Sequence, residues 1–302
     1  MGRKPLFEFE DLPWFPRLIR AYMQDHLTFM GNLSGPAYQG FVEKLQAAMA
    51  CCGQRQLLDL CSGSGGPART ILPLLYSRGM EAKAWLSDLF PNVAAYRHLA
   101  KETNGAIEGV EYPVDAAHVP ADLTGFRLVA NGFHHFRPTQ AVAVLADAVA
   151  KRQGIAVIEM VNRSPFAFLS VGVGFLSTFL AAPFLKPFRA TRLVYTYLLP
   201  LVPLFLLWDG VVSCLRVYSL EELRGLVSQL NGNDYEWDIG KIRIGPGAVT
   251  YLIGTPGAPQ TERRGEKSLA DKLTPPSRGL LPSISDVDDL YSMKRIPEGS
   301  LA

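Results

Sequence analysis

The chain is 302 residues long, 48% hydrophobic and only 19% charged, against roughly 25% charged in an average soluble domain. Thirty Lys and Arg against 28 Asp and Glu leave a formal charge of +2, so nothing global recruits a polyanion and nucleic acid is not an expected partner. The cysteines, Cys51, Cys52, Cys61 and Cys214, form no Cys-x-x-Cys pair and no cationic, apolar leader opens the chain; a zinc ribbon and secretion are not expected, and the cytosolic side is the default.

In chain order, Trp14, Phe15, Leu18, Ile19, Tyr22, Met23, His26, Leu27 and Met30 recur at spacings of three and four, which predicts an amphipathic helix over 11–30. Such a helix either packs on the body of the domain or forms, with the rest of 1–50, a lid over a hydrophobic acceptor pocket. A strand is predicted at 56–61, a glycine turn at 62–66 and a helix from 68 to 75, which together make a β-turn-α unit. Further strands are expected at 82–86, near 109–113, at 127–130 and at 154–160, with helices at 93–102 and 139–151. Ser219 and Glu222 read as a capping box that starts a helix running to Leu230. Runs at 235–244 and 248–254 flank Gly245-Pro246-Gly247 and predict a terminal antiparallel hairpin. Alternating strands and helices imply an α/β fold with a mainly parallel sheet covered on both faces. The expected organisation is a cofactor-binding core over 51–163, an apolar insertion over 164–215, a helix and hairpin completing the core over 216–255, and a disordered tail over 256–302. That tail carries fourteen charged residues and six prolines and too little apolar surface to offset its ordering entropy.

The sharpest local signal is Asp59-Leu60-Cys61-Ser62-Gly63-Ser64-Gly65-Gly66. A strand ends, glycines let backbone approach a ligand, and a helix N-terminus follows. By itself this run also fits the loose dinucleotide fingerprint, which keeps a nicotinamide-dependent oxidoreductase open. Asp88 in Ser87-Asp88-Leu89, Asp115-Ala116 after Pro113-Val114, and Asn131-Gly132-Phe133-His134-His135-Phe136 follow at successive strand ends. Each acid has a plainer reading: Asp59 caps the following turn, Asp88 caps the next helix, Asp115 ends a strand.

Across about residues 50–255 this series resembles the class I S-adenosylmethionine-dependent methyltransferases. The resemblance implies a Rossmann-like seven-stranded sheet with its last strand antiparallel and S-adenosylmethionine as cofactor. Asp59, Ser62, Gly63 and Gly65 would back its methionine end. Asp88, with Leu89 beside it, would accept hydrogen bonds from the ribose hydroxyls, Asp115 would receive the adenine amino group with the Ala116 amide against the ring, and Asn131 would open the loop facing cofactor and acceptor. One departure stands out: Cys61 occupies the position of the family's first glycine, where a Cβ disfavours positive φ. Cys61 is expected as a small buried residue, with a nucleophilic thiol as the rival reading.

If the acceptor is a hydroxyl or phenol, a general base assists, and His134 and His135 are the candidates because their pKa lies near neutrality. Glu159 is a further candidate for acceptor contact. His26, His98 and His118 lack partners at ligand spacing, so no metal site is expected. Between Ser164 and Leu215 the charged residues are Lys186, Arg189, Arg192 and Asp209. The 22 uncharged residues from Ser164 to Leu185 are long enough to span a bilayer, but the three cations would then lie on the far side, against the positive-inside preference. Peripheral or re-entrant membrane contact, with those cations at anionic headgroups, fits better; a buried helical cap or a dimer contact is the other reading. Asp209, Arg216 and Tyr218 are candidates to orient an acceptor head group. The expected activity is methyl transfer to the oxygen or carbon of a lipophilic or membrane-resident small molecule. The alternative from another class is a membrane-associated scaffold or lipid carrier whose cofactor fold is vestigial.

Overall fold

The computed structural model describes residues 2–33, 35–186, 188–230 and 234–257; the expected disordered tail falls, from 258 onward, outside them. Five short runs of β-branched and aliphatic residues form the parallel strands β1 (Gln56–Leu60), β2 (Lys83–Ser87), β3 (Ile107–Gly109), β4 (Phe126–Ala130) and β5 (Ile155–Glu159). They alternate with α3 (Gly66–Ser77), α4 (Val93–Glu102) and α5 (Pro138–Ala150); α1 (Arg17–Leu33) and α2 (Gly35–Cys51) precede them. The apolar insertion forms α6 (Pro165–Ala181), α7 (Ala190–Leu193) with a π turn after it, and α8 (Leu201–Arg216). Helix α9 (Leu220–Val227) leads to the hairpin β6 (Tyr235–Ile244) and β7 (Gly247–Pro256).

The sheet order is β3-β2-β1-β4-β5-β7-β6, with β7 antiparallel to both neighbours. This is the expected α/β architecture. Side chains alternate between the faces of the pleat: Leu57, Leu128 and Ala156 pack under α2, α3 and α4, whereas Leu58, Val129 and Val157 pack under α5 and α9. Helix α2, grouped with the lid by sequence, therefore covers one sheet face through Tyr38, Phe41, Val42, Leu45 and Met49. Gly109 lets β3 approach α4, since a Cβ there would meet Tyr96 at 2.3 Å. Strand β3 is a correction to the expected 109–113: it runs from 107 to 109, and residues beyond Val110 leave the sheet.

A third apolar cluster joins α1 to α8 through Phe15, Ile19, Tyr22, Met23, Val202 and Leu206. Only part of the sequence stripe is inward, because Trp14, Leu18 and Leu27 are exposed. Helix α1 also reaches the loop after β1, where Gln24 accepts a hydrogen bond from Ser64 (3.2 Å) and Thr28 packs on Gly66.

Candidate active site

Parallel register places the carboxyl ends of β1, β2, β4 and β5 side by side, with Leu60 opposite Ser87 and Val129, and Ala130 opposite Ile158. The strand order reverses direction between β1 and β4, so the loop after β1 lies at the topological switch point, where open α/β sheets bind ligands. Asp59, Asp88, Asn131 and Glu159 thus converge although up to 100 residues separate them.

The turn after β1 is built from left-handed residues: Cys61 at φ +58°, Gly63 at +55° and Gly65 at +80°. Cys61 therefore adopts the conformation that its Cβ was expected to oppose. Its neighbour Gly132 makes room, since a Cβ there would lie 3.0 Å from that of Cys61. Gly65 has no such freedom, because a Cβ would meet Leu86 and Leu99 at 2.6 and 2.7 Å. Ser62 is buried; its amide donates to Ser87 O and its hydroxyl shares a hydrogen bond with Tyr96 (2.8 Å). Asp88 accepts from the Gly63 amide (2.9 Å) and the Phe90 amide (2.8 Å), while Asn92, not Asp88, caps α4. Leu89 is exposed beside it. Asp115 is an exposed turn residue that accepts from the Ala117 amide and His118, with Ala116 buried behind it. Asn131, at φ +57°, bridges Tyr38 and the Met160 amide.

Asp59 differs from these. It is 1% exposed, and both carboxylate oxygens are buried without a hydrogen-bond partner. It caps nothing. Burial, with Asp88 nearby, holds its carboxyl well above the ordinary range. Burial likewise pushes the Cys61 thiol up, reinforced by the carboxylates of Asp88, Asp59, Asp115 and Glu159. That thiol stays protonated at neutral pH, which removes the nucleophile reading. The same four acids define the electrostatics of the cleft: it favours a positively charged ligand.

A second cluster lies where His134 and His135, in a 3-10 turn after β4, meet the N-terminal segment. His134 is buried, with Nδ1 on Glu159 (2.8 Å) and Nε2 3.7 Å from Glu8. His135 has Nδ1 on Asp11 (2.6 Å) and Nε2 3.6 Å from Glu8. Arg216 contacts Asp11 (2.6 Å), Glu8 (3.2 Å) and the His135 carbonyl (2.6 Å). Burial opposes a charge on His135, but the carboxylates of Glu8 and Asp11 outweigh it and push its pKa up to about 9. Burial also opposes ionisation of Asp11, yet His135 and Arg216 hold it well below the ordinary range. Asp209 accepts from the amides of Phe9 and Glu10, with burial pushing it up to about 7. Arg3 extends the clasp to the carbonyls of Arg216, His134 and Phe136, stacked over Tyr218. Asp209 and Arg216, read from sequence as acceptor-facing, are thus committed to fastening the N-terminal segment. Tyr218 donates to Phe136 O but also lines an open hollow of about 610 Å³ with Arg3, Arg137 and Glu222. Glu8 and Asp11 were missed by sequence reasoning; the acidic run just ahead of the amphipathic helix was their only signal.

In the insertion, Arg192 is a correction: it is buried, paired with Asp25 (2.5 Å) and donating to Leu185 O, and so is not available to headgroups. Lys186 and Arg189 are exposed. Helix α6 has 17 residues, about 25 Å at 1.5 Å per residue, short of a ~30 Å hydrocarbon core. Among the described residues no single helix is long and apolar enough to cross a membrane; one pair, Ala190–Leu198 with Leu201–Arg216, passes by composition but is bent by 70°.

No family model matches the chain, and no curated protein does. Solved structures with similar coordinates include an O-methyltransferase from neocarzinostatin biosynthesis in complex with S-adenosylmethionine and a naphthoic acid (17% identity, 76% of this chain and 56% of that one, TM-score 0.44). Two others are an O-methyltransferase family protein from Burkholderia thailandensis (14%, 76% and 59%, 0.42) and the plantazolicin methyltransferase in complex with S-adenosylhomocysteine (11%, 79% and 95%, 0.49). The chain spans 56% and 59% of the length of the first two. It is the strand order, and not these likenesses, that defines the fold.

Proposed function

We propose that the protein is an S-adenosylmethionine-dependent methyltransferase acting on a lipophilic small molecule at a membrane surface, on its cytoplasmic side. The observation that carries this reading is the buried, unpartnered Asp59 carboxylate in a cleft lined by three further acids. Burial disfavours the ionised form of Asp59, and a ligand bearing an ammonium and a sulfonium would stabilise that form. A dinucleotide would bring a pyrophosphate dianion to the same acids. It would also need the loop amides, and the Gly63 amide is already engaged by Asp88. The nicotinamide alternative is therefore the poorer fit, and a vestigial fold leaves the buried, unpartnered carboxyl without a use.

The bound cofactor supplies an activated methyl group. The chain holds and orients it: Asp59 faces the cationic methionine end, Asp88 and Leu89 the ribose, Asp115 and Ala116 the adenine. Helix α1, fastened over the glycine loop by Gln24 and Thr28, excludes water from the cleft. His134 and His135 each hold Nδ1 on a carboxylate, so a base role for either would fall to its Nε2.

The membrane part rests on an exposed apolar face. Leu169, Val173, Leu176 and Leu180 line the outer side of α6 and continue into Phe184 and Phe188 beside Lys186 and Arg189. Leu180 is 76% and Phe184 80% exposed, and contiguous patches of this kind mark interaction surfaces. A membrane-resident acceptor would be taken from the bilayer at that face, with oxygen or carbon receiving the methyl group.

Calorimetry with S-adenosylmethionine and, in parallel, with reduced nicotinamide cofactor tests the reading. Binding of the first alone is expected; binding of the second alone would replace the proposal with the oxidoreductase.

A further inference from the structure

We infer that Glu8, His134 and His135 form a binding site for one divalent transition-metal ion of the zinc class, which locks the N-terminal segment onto the loop after β4. The inference stands on this cluster alone and does not depend on the methyltransferase reading.

The geometry begins with the two imidazoles. Their rings stack at 4.3 Å with an interplanar angle of 32°, and both Nε2 atoms face Glu8. Each Nδ1 is anchored on a carboxylate, Glu159 for His134 and Asp11 for His135. This is the arrangement by which metal-ligating histidines are held: the outer nitrogen donates to a carboxylate, which sets the tautomer and leaves the other nitrogen's lone pair for the ion. The Glu8 carboxylate faces both free nitrogens, one oxygen 3.7 Å from His134 and the other 3.6 Å from His135. Those distances are too long for hydrogen bonds.

Burial supplies the second observation. His134 Nε2 and Glu8 Oε1 are solvent-inaccessible and have no hydrogen-bond partner, on side chains only 4% and 2% exposed. The unpartnered His134 Nε2 aims at Glu8, whose Oε1 also meets Arg216 as an ion pair at 3.2 Å. The three ligand atoms lie within 4.8 Å of one another. A tetrahedral ion with bonds of about 2.1 Å separates its ligand atoms by about 3.4 Å, so for either Glu8 oxygen one edge to a histidine needs to close by a few tenths of an ångström, and the remaining edges, within 4.8 Å, by more.

Charge points the same way. Three carboxylates, Glu8, Asp11 and Glu159, face the two imidazoles and Arg216, surroundings that favour added positive charge. Two imidazoles and a carboxylate are a ligand set of zinc and neighbouring first-row metals rather than of magnesium or calcium. Arg216 lies 3.2 Å from Glu8 and competes for it, but its contacts with Asp11 and the His135 carbonyl hold it when Glu8 turns to the ion. Three protein ligands leave a fourth position, and the part-exposed side of His135 is its way to solvent or acceptor.

The test uses the full chain, freed of metal with a chelator and dialysed, then titrated with Zn²⁺ by calorimetry and with Co²⁺ by its ligand-field absorption. One ion per chain is expected, with two nitrogen donors in the Co²⁺ spectrum and a raised melting temperature. Glu8→Gln and His135→Gln should each abolish stoichiometric binding, and Asp11→Asn should weaken it roughly 10- to 100-fold. Circular dichroism establishes that each variant is folded; if Glu8→Gln unfolds, the part-exposed His135→Gln decides. Absence of binding to the wild-type chain, or stoichiometric binding that survives His135→Gln, overturns the inference. The second result would place the ion at other side chains.

Discussion

Replacing Asp59 by Asn separates a structural acid from a ligand-binding one, because the two roles move stability and affinity in opposite directions. In the free protein the carboxyl is buried without a partner and its pKa lies well above the ordinary range. The unfolded chain releases that proton near pH 3.9, whereas the folded chain retains it. Stability is therefore greatest below pH 4 and falls as the pH rises. Asn abolishes this titration but leaves an unpaired amide that costs about 1 to 3 kcal/mol. The variant should accordingly gain on the wild type as the pH rises, and be the less stable of the two by about 1 to 3 kcal/mol near pH 4. Urea unfolding at several pH values measures it. Affinity for S-adenosylmethionine should fall at the same time by about 1.5 to 3 kcal/mol, the worth of hydrogen bonds to a charged acceptor, read by calorimetry. A variant that gains nothing on the wild type as the pH rises, with unchanged affinity, would refute the reasoning and make Asp59 a structural residue.

Other consequences follow from single contacts. Gly65→Ala places a methyl group 2.6 to 2.7 Å from Leu86 and Leu99 at φ +80°, so it should destabilise by about 2 to 4 kcal/mol; an unchanged urea midpoint would show that the turn relaxes freely. His26 is 3% exposed, beside Ser177 and Thr178 of α6 at 3.3 and 3.4 Å, and burial lowers its pKa to about 4. Because the unfolded chain binds that proton first, stability should decline as the pH falls from about 6.5 to about 4, by up to about 3 kcal/mol. His26→Gln should flatten this part of the profile, and an undiminished slope would assign it to another group. Leu176→Asp with Leu180→Asp should leave unfolding unchanged, since both side chains are exposed, yet abolish flotation with anionic liposomes. Undiminished flotation would remove the α6 face from the membrane contact.

Much of this organisation is local and was legible as such. Strand positions follow from runs of Leu, Val and Ile, and β6 was placed to the residue because a glycine-proline-glycine turn bounds it. The capping box is legible for the same reason: Ser219 and Glu222 satisfy each other's amides three residues apart, at 3.1 and 2.7 Å. Asp59, Asp88, Asp115 and Asn131 also come to one edge, since parallel strands bring their carboxyl ends together, although the sheet order places them as Asp115, Asp88, Asp59 and Asn131. Strand β3 was misplaced because only three residues pair there, too few for a period to register.

Amphipathic stripes and charges were read less well, because periodicity reports which residues share a face and not what covers that face. Trp14, Leu18 and Leu27 share the stripe of α1 but lie beyond the reach of α8, and Arg192 lies in an apolar block yet is buried on Asp25 from α1. By itself the sequence determined the alternation of strands and helices, the mainly parallel sheet and its antiparallel hairpin, all of which depend on near neighbours in the chain and the handedness of βαβ units. Only the tertiary structure decided what His134 and His135 face. Their partners Glu8 and Asp11 stand more than 120 residues away, and such pairing is set by how α1 and α8 pack, which no local pattern encodes.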